Sequence, residues 1–232
     1  MKTFKITGVT ESIVRYLRVN IIGGKFAPGQ KLNEIELAEH LGISRPPLRE
    51  AFRILENEYL IGSLPRKGCY VTEVSIQDCR QIYKVREMIE CATIDCLRAN
   101  NIMDLPRVAS AFELAEHRST ALPGDSQIEE TEDQNPFPLF HINLVRSTKN
   151  NWLIRCYNMI VPTLARYQFM CYVPDVLRKV QKEHKQILTL IRKGKYDSAK
   201  QLLRAHIIWY VEFLENSMKQ NEGKRNSTLI DS

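Results

Sequence analysis

Apolar residues recur at helical spacing along most of this chain. Near its start Ile13, Val14, Leu17 and Ile21 share one face before Gly23-Gly24 and the turn Phe26-Ala-Pro-Gly29, which predicts a first helix that stops there. Asn33-Glu-Ile-Glu36 has the form of a capping box, with Leu32 and Leu37 placed as a hydrophobic staple. A second helix therefore starts here and runs to Gly42. After a short turn, Leu48, Ala51, Phe52 and Leu55 line one side of a third helix. Two short helices joined by Gly42-Ile-Ser44 have the layout of a helix-turn-helix. Leu60 to Leu64 and Cys69 to Thr72 are strand-like runs around Pro65-Arg-Lys-Gly68, a hairpin with a basic tip. The pattern predicts a winged helix-turn-helix over 1–75.

The remainder is mainly α in pattern, with no strand signal. Ser75-Ile-Gln-Asp78 reads as a cap with an acid behind it, opening a long helix through Ile82, Val85, Ile89 and Leu97. Further helices are predicted around 104–119, 139–149, 151–171, 175–193 and 196–218. The stretch 123–136 holds five acids and no base, which suits a solvated loop. The expected organisation is a winged helix-turn-helix domain at 1–75, an all-α helical bundle at 76–220 and a disordered tail at 221–232.

Composition narrows the class. The 232 residues are 44% hydrophobic and 26% charged, as in soluble globular chains. The longest apolar stretch, Cys156 to Val173, is interrupted by Asn158, Pro162 and Arg166, and no basic-then-apolar leader stands at Met1. The expectation is a cytoplasmic protein with no membrane partner. Six cysteines without a C-x-x-C pair indicate reduced, mostly buried thiols rather than a disulfide framework or a zinc ribbon. The net charge of +6 permits nucleic-acid binding without establishing it.

Arg45, Arg49 and Arg53 recur every four residues on the third helix, opposite Leu48, Phe52 and Leu55. Such a stripe can meet phosphates or the O6/N7 edge of guanine; otherwise it is a solvated face paired by Glu50 and Glu56. Pro46 and Pro47 lack N–H groups and fix where the helix begins, which leaves the Ser44 hydroxyl free for a phosphate. Arg66 and Lys67, before Gly68, can reach the DNA backbone or the minor groove.

In the second part His141, His184 and His206 fall on separate predicted helices, and imidazoles converging from different helices are how a bundle builds a metal site. Three imidazoles with open positions suit zinc or nickel, one per chain. Arg86 and Glu90 stand four apart and can form a helical ion pair. Tyr157, Tyr167, Phe169, Met170 and Tyr172 are expected to pack the bundle or a dimer, and His40 and His117 to lie on the surface. No Gly-rich phosphate loop or nucleophile elbow is present, so an enzyme is not expected.

The run Leu37-Ala-Glu-His-Leu-Gly-Ile-Ser-Arg-Pro-Pro-Leu-Arg-Glu-Ala51, with Leu55-Glu and Gly68 before Val71, resembles the GntR family of bacterial transcription regulators. Ala27-Pro-Gly with Leu32-Asn-Glu34, and Tyr83-Lys-Val-Arg-Glu-Met-Ile-Glu90 further on, resemble its FCD, FadR-like branch. The resemblance implies a homodimer on a palindromic operator in double-stranded DNA, contacted by Ser44, Arg45, Arg49 and the Gly68 region. Where some members carry a base-reading arginine, this chain has Ile35, which implies a different operator. It also implies that the helical part, 76–220, binds an effector and dimerises, and that Arg86, beside Glu90, clamps a small organic acid there. Metal-binding members use an aspartate four residues before the first histidine, and Phe140-His141, Glu183-His184 and Ala199 with His206 match the histidine places. Phe137 stands where that aspartate belongs, and Pro136 and Pro138 argue against a continuous helix there; Asp133 is the substitute fourth ligand. The expected function is a ligand-responsive transcription regulator, more often a repressor in this family. A metal-sensing regulator and a metal-dependent hydrolase are the alternatives.

Overall fold

The computed structural model describes residues 7–64, 68–110, 136–170 and 173–230. The chain divides into two compact units: Met1–Ser75 with Pro162–Met170, and Ile76–Val161 with Cys171–Ser232.

The first unit contains helices α1 (Thr7–Ile22), α2 (Glu34–Leu41) and α3 (Arg45–Asn57) and strands β1 (Lys31–Leu32), β2 (Ile61–Leu64) and β3 (Gly68–Val71). The strands form an antiparallel sheet in the order β1-β3-β2, with Ile61 opposite Val71 and Lys31 opposite Tyr70. The pattern did not indicate β1, because two residues are too few to alternate. Its sheet bonds come from β3, far along the chain. Leu17, Ile21, Leu32, Leu48, Ala51, Leu55, Leu60 and Val71 form the centre of one core. Asn33 caps α2, but not as the reciprocal box: its Oδ1 accepts from the Ile35 N–H, and its Nδ2 donates to Glu36 Oε1. Gly42 ends the helix at φ 64°, a left-handed conformation in which glycine meets no Cβ penalty. At the head of α3, Ser44 makes no side-chain cap bond, and Pro46 and Pro47 occupy the first turn, where their missing N–H groups cost nothing.

The segment Pro162–Met170 is held to this unit by polar contacts. Buried Arg166 donates from Nη1 to Thr72 Oγ1 at 2.9 Å and from Nη2 to the Thr72 carbonyl at 2.8 Å. Thr163 Oγ1 donates to the Glu58 carbonyl. A boundary read from composition at Ser75 could not include them, since their partners are 94 and 105 residues away in sequence.

The second unit is built from α4 (Ile76–Ala99), α5 (Pro136–Arg146), the first part of α6 (Asn151–Met170), α7 (Pro174–Arg192) and α8 (Tyr196–Ile230). Residues 106–110 are also helical, and the predicted acidic loop and His117 lie outside the described residues. Pro136 and Pro138 do not prevent the helix before His141: they fall in the first turn of α5. The backbone of α8 runs on through 221–230, expected as a disordered tail. That stretch is polar but holds no proline to stop it.

Helices α4 and α8 run antiparallel. Arg80 pairs with Glu215, Glu87 with Arg204, Asp95 with Lys200 and Arg98 with Asp197, so partner numbers fall as α4 advances. Ile94, Leu97, Leu203, Ile207 and Leu214 are buried in this unit. Leu97 is buried as its spacing suggests, but the first half of the buried face of α4 departs from the aliphatic pattern. Val85 is exposed, whereas Arg86, Glu87 and Glu90 are buried beside Tyr83. No helix among the described residues is long and apolar enough to cross a membrane. Cys69, Cys79, Cys91, Cys96 and Cys156 are free; Cys79 and Cys91 are buried, and Cys156 is exposed.

Candidate functional site

Helix α3 buries Leu48, Ala51, Phe52 and Leu55 and turns its arginines outward. The side chains of Arg45, Arg49 and Arg53 keep 50%, 58% and 78% of their surface exposed. Among the described residues Arg53 makes only a 3.4 Å contact with Glu50. Glu56, the other acid expected to pair with this stripe, instead accepts from the Ser63 hydroxyl. A residue the pattern did not single out is Glu34: its Oε1 accepts from Nε of Arg45 and from Nε of Arg49, each at 2.7 Å. Slight burial pushes the Glu34 carboxyl up, but hydrogen bonds and charges from the two arginines outweigh it and hold the carboxyl below its usual range. Ile35 is exposed beside them. Gly68 opens β3 at φ 87°, a conformation a Cβ would strain. Arg66 and Lys67 lie outside the described residues.

In the second unit α5, α7 and α8 bring His141, His184 and His206 together, all buried, with one ligand atom from each within 4.8 Å of the others. The ring of Phe140 stacks on His184 with centroids 4.0 Å apart. Two carboxylates fix the imidazole tautomers. An ionised carboxylate only accepts, so Nδ1–H of His141 donates to Glu90 Oε2 and Nδ1–H of His206 donates to Glu183 Oε2, both at 2.7 Å. Nε2 of each then carries a lone pair, and His206 Nε2 stands 3.2 Å from His184 Nε2. Trp209 Nε1 donates to the same Glu183 oxygen.

The electrostatics favour neutral rings and a charged pair beside them. Burial and the Arg86 charge push His141 down to about 3, against the pull of Glu90. Burial and the neighbouring histidines push His184 well down; burial also lowers His206, which Glu183 partly opposes. Burial pushes the Glu90 carboxyl up, but Arg86 and its hydrogen-bond donors keep it far below the carboxylate range. Arg86 donates from Nε to Glu90 Oε1 at 2.7 Å, and Tyr157 donates its hydroxyl to the same oxygen. The pair is thus the expected i, i+4 ion pair, but a buried one. Nη2 of Arg86 meets no acceptor among the described residues.

Tyr157 was expected only to pack, and its hydroxyl proves part of this network; Phe169 and Met170 are exposed and Tyr172 lies outside the described residues. Glu183 was visible only as the neighbour of His184, and nothing local marks it as a partner of His206. Asp133 lies outside the described residues. Neutral imidazoles, two of them oriented through Nδ1, fit a divalent metal, and carboxylates behind such rings are the usual second layer of metal sites.

Residues 9–71 match the family described as bacterial regulatory proteins, gntR family, and residues 81–208 match the FCD domain. The chain is 28% identical over 234 residues to the HTH-type transcriptional regulator YdhC of Bacillus subtilis, covering 97% of this chain and all of that one. It is 28% identical over 155 residues to the gluconate operon transcriptional repressor of Bacillus licheniformis, across 65% of this chain and 60% of the repressor. Among solved structures, a GntR transcriptional regulator from Rhodococcus sp. RHA1 superposes with a TM-score of 0.68 at 26% identity, covering 88% of this chain and 96% of that one. With a winged helix-turn-helix unit, a helical second unit and both domain matches in place, the chain belongs to the GntR family of DNA-binding transcription regulators, in the branch that carries an FCD effector-binding domain.

Proposed function

We propose that this protein is a cytoplasmic, ligand-responsive repressor that binds a palindromic operator as a homodimer and answers to a small carboxylate in its second unit. In this reading α3 enters the major groove, Arg45 and Arg49 meet base edges, and Ser44, Pro46 and Arg53 lie along the backbone. The hairpin residues Arg66, Lys67 and Gly68 add contacts beside the groove. The repressor assignment draws on the name of the Bacillus licheniformis relative.

The observation that carries the effector reading is the buried centre itself. Three neutral imidazoles converge within 4.8 Å, and beside them stands a charged Arg86 whose Nη2 has no acceptor among the described residues. His141, His184 and His206 would hold one divalent ion per chain, zinc or nickel, which would supply a positive Lewis-acidic centre for an anion. Arg86 supplies a second positive group, and Glu90 keeps it in place. Both Glu90 oxygens are engaged by Arg86, Tyr157 and His141, so Glu90 serves the site by holding these groups rather than by touching an anion.

The test is the metal content of tag-free protein purified without chelator, by elemental mass spectrometry, beside a His184→Ala variant. About one zinc or nickel per chain, lost in the variant, supports the reading. Protein that takes up neither ion when offered overturns the metal centre. Titrating zinc and a series of small dicarboxylates separately into an operator-binding assay then decides between an organic effector and the ion as the signal.

A further inference from the structure

Glu34 opens α2, where a carboxylate also faces the favourable end of the helix dipole. Its side chain is 25% exposed, less than the arginines it holds. One of its oxygens takes both Nε–H groups, at 2.7 Å each, from residues one turn apart on α3. A guanidinium bound at Nε is left with its Nη1/Nη2 end, a pair of donors whose spacing matches O6 and N7 of guanine or two phosphate oxygens. The carboxylate therefore orients two flexible cations before any DNA arrives, and ordering them in advance lowers the entropy lost on binding. It also offsets one of the two positive charges, which weakens their attraction to phosphates of any sequence.

We propose that Glu34 is a positioning residue for DNA specificity: it aims Arg45 and Arg49 at base edges and restrains them from indiscriminate phosphate contacts. The proposal rests on the reading of α3 as the recognition helix. Removing the carboxylate gives two unaimed arginines and one more net positive charge. Random DNA then gains affinity, while the preferred sequence loses its oriented contacts. Shortening the side chain keeps the charge near the helix end but withdraws the oxygen, so charge and aim can be separated.

The experiment uses the full chain as wild type, Glu34→Ala, Glu34→Asp, Glu34→Gln and Arg49→Ala. The probes are a duplex enriched by the wild type from a randomised library and a scrambled duplex of the same length and composition. Affinity for both is measured across a salt series, with a thermal melt confirming the fold of each variant. The wild-type ratio of the two affinities should fall about ten-fold in Glu34→Ala, the size of one bidentate arginine–base contact. Its salt slope on the scrambled duplex should steepen by about one. Glu34→Asp should lose discrimination with unchanged net charge. Glu34→Gln, whose carbonyl oxygen can still accept from both Nε–H groups, should recover part of it. If Arg49→Ala loses discrimination while Glu34→Ala and Glu34→Asp both keep the wild-type ratio, the positioning role is wrong and α3 remains the reading helix. If Arg49→Ala also keeps that ratio, the recognition-helix reading itself fails. Should Glu34→Ala not melt cooperatively, the comparison of Glu34→Asp with Glu34→Gln decides.

Discussion

Glu90 Oε2 lies 2.7 Å from Nδ1 of His141, and the other oxygen of the same carboxylate accepts from Nε of Arg86 at 2.7 Å. One buried acid thus orients an imidazole and holds a guanidinium at once. Breaking one half of this arrangement leaves the other with an uncompensated charge or an unpaired donor.

Arg86→Met should therefore destabilise the second unit by about 3–5 kcal/mol, because Glu90 would remain charged and buried without its partner. For a domain of this size that corresponds to a fall of roughly 10 °C in Tm. Calorimetry at neutral pH checks it, and an unchanged Tm would show that the pair carries no such weight.

Glu183 is the equivalent support for His206, whose Nδ1 it fixes at 2.7 Å. Glu183→Gln keeps the size and an acceptor for Trp209 but lowers the basicity of the ring behind it. Zinc affinity, read by competition with a chromogenic chelator, should fall roughly 10–100-fold. Equal affinities would mean that His206 needs no orienting carboxylate.

The pH dependence follows from the depressed histidines. In the unfolded chain a histidine titrates near about 6.5, whereas in the fold His141 is held down to about 3. Between those values the unfolded chain binds a proton that the folded chain refuses, so the stability is present above about 6.5 and is lost as pH falls towards about 3. His184 and His206 act in the same direction, and depressed Glu90 adds a further loss below the carboxylate range. With chelator present, Tm should drop steadily from about pH 7 to about pH 5. A flat profile in that window would contradict neutral, buried rings.

On the other unit, Arg53 is 78% exposed and lies 3.4 Å from Glu50. Arg53→Ala should weaken binding to preferred and scrambled duplexes by the same factor and lower the salt slope by about one. A selective loss on the preferred duplex would instead make Arg53 a base-reading residue.

Helix α4 shows where reading the pattern goes wrong. Apolar periodicity assigns the buried face to Ile82, Val85, Ile89 and Leu97; Leu97 is buried, but Val85 is exposed while Arg86 and Glu90 lie in the interior. Charged residues are ordinarily placed outside because burial costs more than a helical pair returns. Here the cost is met by Tyr157 and His141, which arrive from α6 and α5. No inspection of α4 alone could supply those partners.

What the sequence determined by itself is what neighbouring residues decide within a turn or two: the cap at Asn33, the stop at Gly42, the proline-marked start of α3, and its split between buried Leu48, Phe52 and Leu55 and exposed arginines. The residue types of a metal centre were legible too, as histidines on separate predicted helices. Only the tertiary structure decided that Glu34 takes Arg45 and Arg49, that β1 pairs with β3, that Pro162–Met170 packs with the first unit, and that Glu90 and Glu183 stand behind their rings. The reason is range. Caps and helical faces follow from local backbone hydrogen bonding and side-chain period, whereas these contacts join elements far apart in sequence and exist only once helix packing has set their distances.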